Sequence, residues 1–461
     1  MVLLRTTPAA PSPAVSYVNT LIEQRADPHV IKHTDGWYYF TATVPDYDKI
    51  ILRKAETIQG LADAPETTIW TRKSSGTGSG QVWAPELHWI DGKWYIYVAL
   101  GVSGEWRIRA FVLEGTGDDP LTATWVEKGI IKTNWDTFSL DASTFVANGT
   151  RYLVWAQLDP TWASEGTSLL LAPLENPWTI KGTGVAISRP DLPWERIGHN
   201  VNEGPYVIQR NGAIFLTYSA SATDHNYCMG LLTASEGADL MNPASWSKAK
   251  EPIFSSNADT NQWGPGHSCF TVSEDGQSDL VVFHDRGYRD INGEPLHDRN
   301  RRTRVQKLYW KADGTPDFGI PVADGNTPVR LRLATDPSLY VTARESVWVD
   351  SNTQNLADTQ FRIVSPGLAG GDNTISLESA SKPGQFFNHS GKQLLLGADD
   401  KSDAFRAKAS FIRHQGLSDK SGISFEASDS PGKFVCVDDE NNLTIISEIR
   451  DAPQRATFFT E

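Results

Sequence analysis

Two internal repeats of different length predict an all-β chain, a five-bladed β-propeller followed by a β-trefoil. A strand, tight turn, strand unit recurs five times at roughly 55 to 65 residues, enough for one four-stranded blade per copy. A second unit of nearly 50 residues then recurs three times. Composition agrees: 39% hydrophobic residues, with 37 Gly and 26 Pro among 461, suit a turn-rich β protein rather than a disordered or membrane chain.

The five copies carry their turns at Asp35-Gly36, Asp91-Gly92, Asn148-Gly149, Asn211-Gly212 and Asp275-Gly276. Asp-Gly and Asn-Gly tolerate positive φ at both central positions of a hairpin turn. In VIKHTDGWYYFTA, ELHWIDGKWYIYVA, STFVANGTRYLVWA, PYVIQRNGAIFLTYSAS and SCFTVSEDGQSDLVVFHD, apolar runs flank each turn. Seven or eight positions before the turn's Asp or Asn stand Asp27, Trp83, Asp141, Glu203 and His267. Single units cannot bury their apolar faces, so the copies pack radially with their innermost strands on a central channel. The five residues are then expected at equivalent places around one mouth of that channel. A lone acid at a strand end usually caps backbone N–H groups or is solvated. Three acids at one repeat phase point instead to a site. Glu86 falls three residues beyond that phase and is read as structural.

Near residue 326 the pattern changes. After RTRVQKLYWKADGTPDFGIPVADGNTP, units begin at Val329, Ile375 and Ile423 and end in TQFRIV, ASFIRH and ATFFTE. Three short all-β repeats close one core as a β-trefoil. The expected organisation is a tail over 1–15, the propeller over 16–325 and the trefoil over 326–461.

The net charge of -14 argues against a nucleic-acid partner, which needs a basic footprint. No apolar run approaches the roughly 20 residues needed to span a bilayer. A neutral partner fits better, and the 16 Trp and 13 Tyr offer flat faces of the kind sugar rings stack on. A monomer is expected. The compartment stays open between a secreted chain trimmed of its signal and a cytosolic one; sequons at Asn148, Asn388 and Asn442 lean toward secretion. Cys228, Cys269 and Cys436 form no metal or redox motif, and pairing of the first two is left open.

RADPHVIKHTDGWYYF, QVWAPELHWIDGKWYIYVA, SLDASTFV, VNEGPYVI and WGPGHSCF together resemble glycoside hydrolase family 43 over about residues 16 to 325. Within the family the segment RNRRTRVQKLYWKADGTPDFGIPV is similar to that of exo-acting α-L-arabinofuranosidases cleaving α-1,5-linked arabinan. The trefoil resembles carbohydrate-binding module family 42, an arabinofuranose-binding domain. The resemblance implies an inverting hydrolase with Asp27 as general base, Glu203 as general acid and Asp141 raising the pKa of that acid. Inversion needs two carboxyl groups about 6.5 to 9.5 Å apart, one activating water and one protonating the leaving oxygen. It also implies Trp83 as a wall for the innermost sugar and Arg301 as a substrate contact, with Arg302 and Arg304 as alternatives in register. His267 would face calcium or a water cluster at the channel centre; no cofactor is expected for the chemistry itself. In the trefoil, only the second unit keeps the family's His, as His389, with Phe387 and Asp399 or Asp400 beside it; Ala343 and Val437 replace it in the others.

The expected substrates are arabinan and arabino-oligosaccharides. Two alternatives stand beside this reading. Within the family, β-xylosidase or arabinoxylan arabinofuranosidase activity is the runner-up. From another class, a non-catalytic sugar-binding propeller would not need three acids at one phase.

Overall fold

The computed structural model describes residues 15–163, 165–351, 355–447 and 449–461; all but the last residue of the expected 1–15 tail lie outside them. Two compact units emerge, one spanning Tyr17–Pro321 and one containing Val322–Glu461.

In the first unit each repeat becomes one antiparallel sheet whose strands follow in chain order from the inside outward, except that in the third repeat Val185–Ser188 returns to pair with Ser168–Asn176. The five inner strands are Ala26–Lys32, Val82–Ile90, Ser139–Ala147, Asn202–Arg210 and Trp263–Val272. They contact one another in a closed cycle, first to second and onward until the fifth returns to the first. That closure makes the unit a five-bladed propeller. Leu21 and Ile22 fasten the ring by donating to the Thr303 carbonyl, and Thr303 N donates back to Ile22. Apolar residues fill the wedges between blades, with Tyr39, Trp94 and Leu52 between the first two and Tyr97, Trp155 and Leu170 between the next.

Every inner strand carries a β-bulge near its start, two residues facing one on the second strand: Asp27-Pro28, Ala84-Pro85, Asp141-Ala142, Gly204-Pro205 and His267-Ser268, the fifth strand having a further one at Gly264-Pro265. The first residue of each of the five equivalent pairs has φ between 45° and 55°. Proline suits the second place because a bulge needs no ladder N–H there. This corrects the expected phase. Asp27, Asp141 and His267 are equivalent, but their counterparts are Ala84 and Gly204, so Trp83 and Glu203 stand one residue earlier. The cause is turn length. The second, third and fourth hairpins turn in two residues, whereas the first and fifth take longer loops that shift the count by one.

The second unit is also three-fold. The first and fourth strands of its repeats are Val329–Leu333 and Gln360–Val364, Thr374–Ser379 and Phe411–Gln415, Ile423–Ala427 and Phe458–Thr460. Each first strand pairs with its own fourth strand and with that of the neighbouring repeat, closing a six-stranded barrel. Three hairpins joined by bridges such as Gln393 to Thr444 complete a β-trefoil. Its core gathers Leu331, Phe361, Phe387, Phe411, Phe425 and Phe458 from all three repeats. Among the described residues, no helix is long and apolar enough to cross a membrane, and all three cysteines are free and buried, so Cys228 and Cys269 are not paired.

Candidate active site

The bulges turn side chains from three blades toward one point on the channel axis. Asp27 lies at its centre. Its Oδ2 accepts a 2.6 Å bond from Thr43 Oγ1, and Oδ1 accepts from Arg301 Nη1 at 3.1 Å. Its backbone N–H donates to His284 Nδ1 at 3.0 Å, and His267 Nδ1 stands 3.4 Å from Oδ1. Burial alone would raise the Asp27 pKa, but Arg301, His267 and His284 outweigh it and hold the carboxyl well below the usual carboxylate range. Asp27 is therefore ionised.

Asp141 Oδ2 accepts the Gly204 N–H at 2.9 Å and lies 4.0 Å from His267 Nδ1. Burial, then the charges of Glu203 and Asp27, push its pKa well above the carboxylate range. Glu203 Oε1 accepts a 2.7 Å bond from Tyr227 Oη. Burial and the Asp27 charge raise Glu203 to about 7, against the lowering effect of Tyr227, Arg301 and His199. Carboxyl groups this close in field share protons, so at neutral pH the Asp141–Glu203 pair retains a proton that Asp27 does not.

Of the three arginines left open by sequence, Arg301 reaches the acids, and its Nη2 also donates to Tyr47 Oη at 3.3 Å. Arg302 and Arg304 turn away to a buried carboxylate, Asp285, each at 3.0 Å. Trp83 stands edge-on to Tyr47, ring centres 5.6 Å apart, beside the tyrosine that Arg301 contacts.

His267, expected to face a channel-centre ion or water cluster, stands among the acids. Its Nδ1 faces two carboxylates, and burial holds its pKa below the ordinary value, so the ring is neutral at neutral pH. The described group nearest to a metal-binding set is His29 and Glu86, both buried, with the half-buried His88, on the inner strands. Calcium takes six to eight oxygens, and this set offers two imidazoles and one carboxylate. His29 Nδ1 also accepts the Leu87 N–H at 3.3 Å, which leaves hydrogen on Nε2 of the neutral ring. Glu86 bonds His88 Nε2 at 2.9 Å, and its charge is also felt by Asp141. The arrangement supplies an ionised carboxylate, a protonated carboxyl and a cation.

The trefoil does not assemble the expected pocket. His389 Nε2 pairs with Asp429 of the third repeat at 2.8 Å. Asp399 is held by Lys401 and Arg406, Asp400 receives the Ser402 N–H, and Phe387 is sealed in the core against Phe361. The three repeats interlock, so residues close in sequence face different neighbours. Sequence reasoning also missed Tyr227, Thr43, Tyr47 and His284. Only His284 left a signal, a polar side chain inside the apolar run LVVFHD.

The profile of glycosyl hydrolases family 43 matches residues 17–316, about the whole propeller. The chain belongs to glycosyl hydrolases family 43. Residues 329–458 match the alpha-L-arabinofuranosidase B (ABFB) domain, the arabinose-binding module of family 42. Among family 43 relatives, an alpha-L-arabinofuranosidase 43 from Humicola insolens is 66% identical over 464 residues, covering 98% of this chain and 96% of that protein. An extracellular exo-alpha-(1->5)-L-arabinofuranosidase from Streptomyces avermitilis is 54% identical over 416 residues, covering 90% and 85%. The crystal structure of an alpha-L-arabinofuranosidase from Lactobacillus brevis superposes with a TM-score of 0.65 at 50% identity, covering 67% of this chain and 98% of that one.

Proposed function

We propose that this family 43 hydrolase is an inverting, exo-acting α-L-arabinofuranosidase that works outside the cell and releases terminal L-arabinose from α-1,5-linked arabinan and arabino-oligosaccharides. The observation that carries the reading is the separation of two carboxyl groups by environment. Arg301 keeps Asp27 charged, while burial and neighbouring charge keep Glu203 protonated to about 7. Such divergence marks a base and an acid in one site. Asp27 takes a proton from water as its oxygen attacks the anomeric carbon; Glu203 gives its proton to the departing glycosidic oxygen. Asp141 shares a proton with Glu203 and holds the Gly204 backbone in place. Arg301 and His267 orient Asp27, and Trp83 walls the pocket. The named activities of the relatives from Humicola and Streptomyces support arabinose as the sugar, and the Streptomyces name supports the α-1,5 linkage and secretion.

Asp27→Asn and Glu203→Gln test the assignment. Each is expected to lower kcat on α-1,5-arabinobiose by about 10²-fold or more. An aryl arabinofuranoside, whose leaving group needs little protonation, should depend less on Glu203 than on Asp27. NMR of the first product should show β-L-arabinofuranose before mutarotation. Near-wild-type turnover in either variant, α-anomer as first product, or preference for aryl xyloside would overturn it.

A further inference from the structure

Trp106 is the most exposed large hydrophobic residue among those described, at 63%. It opens the third strand of the second blade, Glu105–Thr116. Its ring centre lies 5.7 Å from that of Trp83, edge-on, and 5.6 Å from that of Phe138, inclined by only 19°. Trp83 in turn meets Tyr47, and Tyr47 Oη accepts from Arg301, the cation that holds Asp27. An unbroken aromatic row thus runs from the charged carboxylate to solvent.

A hydrophobic plug would bury this indole, because apolar surface left in water forgoes the main gain of packing. Trp106 instead rests against Phe138 and leaves most of its surface open. The support beneath it is braced. Arg109 Nε donates to Asp136 Oδ1 at 2.7 Å and Nη2 to the Asp136 carbonyl at 2.8 Å, with Arg107 3.5 Å from the same carboxylate. These contacts pin the segment carrying Phe138 to the strand carrying Trp106. A rigid aromatic face already in place costs little to order on binding.

We infer that Trp106 is the platform for the leaving-group arabinofuranosyl unit, the sugar next to the terminal one. The inference rests on the exo-arabinofuranosidase reading. In an exo enzyme the pocket takes the terminal sugar, so a ring outside it meets the units on the leaving side. The C–H face of a neutral furanose packs against an indole face, which supplies affinity and orientation without charge.

The test compares α-1,5-arabinobiose with methyl α-L-arabinofuranoside, whose leaving group has no ring to stack. In Trp106→Ala the ratio of kcat/KM values, disaccharide over methyl glycoside, is expected to fall about tenfold, with the loss mainly in KM. Trp106→Phe should restore most of it, and the unfolding midpoint of each variant reports whether the fold survives. A ratio equal to wild type, or an equal loss on both substrates, would overturn the assignment of Trp106. Wild-type protein that releases arabinose from neither substrate would instead overturn the functional reading on which it rests.

Discussion

Glu203 shows how one side chain is tuned by partners that lie far from it in sequence. Tyr227 Oη donates to it at 2.7 Å and favours the ionised form, while burial and Asp27 oppose ionisation. Tyr227→Phe removes that donor together with the phenol's contact to Ser219, and the ring can still stack on His284, 5.5 Å away and nearly parallel. Loss of a bond that lowers the pKa must raise it. The basic limb of the kcat/KM profile should therefore move from about 7 to higher pH, by about one unit for a charge-assisted bond. The limb would stay fixed if Tyr227 served packing alone. Asp27, Asp141 and Glu203 were legible from the chain because each stands near the start of a repeated apolar run. Tyr227 was not, since NYCMG carries no pattern that aims a phenol at a particular acid. His267 was legible as a position but not as a partner, because only the fold shows its Nδ1 turned to Asp27 and Asp141.

At the scale of the element, the bulge converts an ordinary inner strand into a holder for chemistry. Asp27, Asp141 and His267 occupy φ near 50°, a region that costs a side-chain-bearing residue about 1 kcal/mol or more. The turns that revealed the five strands also misled the count, because loop length differs between hairpins and periodicity of two does not record a bulge. What can stand beside a bulge is set by close approach. A Cβ on Gly266, just before the bulge at His267, would meet the Tyr227 ring at 2.4 Å and Ser219 Oγ at 2.9 Å, the atom that receives the His267 N–H. Gly266→Ala should cost about 1–3 kcal/mol through overpacking and lower kcat/KM about tenfold or more by displacing Tyr227 from Glu203. Gly237→Ala is the control, since a Cβ there meets nothing within 4 Å. Thermal unfolding and kinetics of both variants check the contrast, and equal effects would mean that Gly266 is not a packing constraint on the acid.

The whole molecule is two closed rings of strands with separate cores. Both repeats were legible because each unit must expose one apolar face to its neighbours, which writes a period into the chain. The trefoil pocket was not, because closure interleaves the repeats: Phe458–Thr460 pairs with Val329–Leu333 of the first repeat and with Ile423–Ala427 of its own. That last strand is a keystone. Phe458 is 1% exposed in a core fed by all three repeats, whereas, among the described residues, the propeller's apolar clusters contain none beyond Phe318. A barrel that lacks one of its six strands leaves two partners unpaired and its core open to water, and a repeat cannot bury its face alone. Calorimetry of the full chain should therefore resolve two transitions. Deleting residues from Thr457 onward should abolish one of them, while turnover of an aryl arabinofuranoside stays within about twofold, as independent cooperative units require. Collapse of both transitions together, with loss of turnover, would mean that the propeller draws stability from the trefoil and does not fold as a unit of its own.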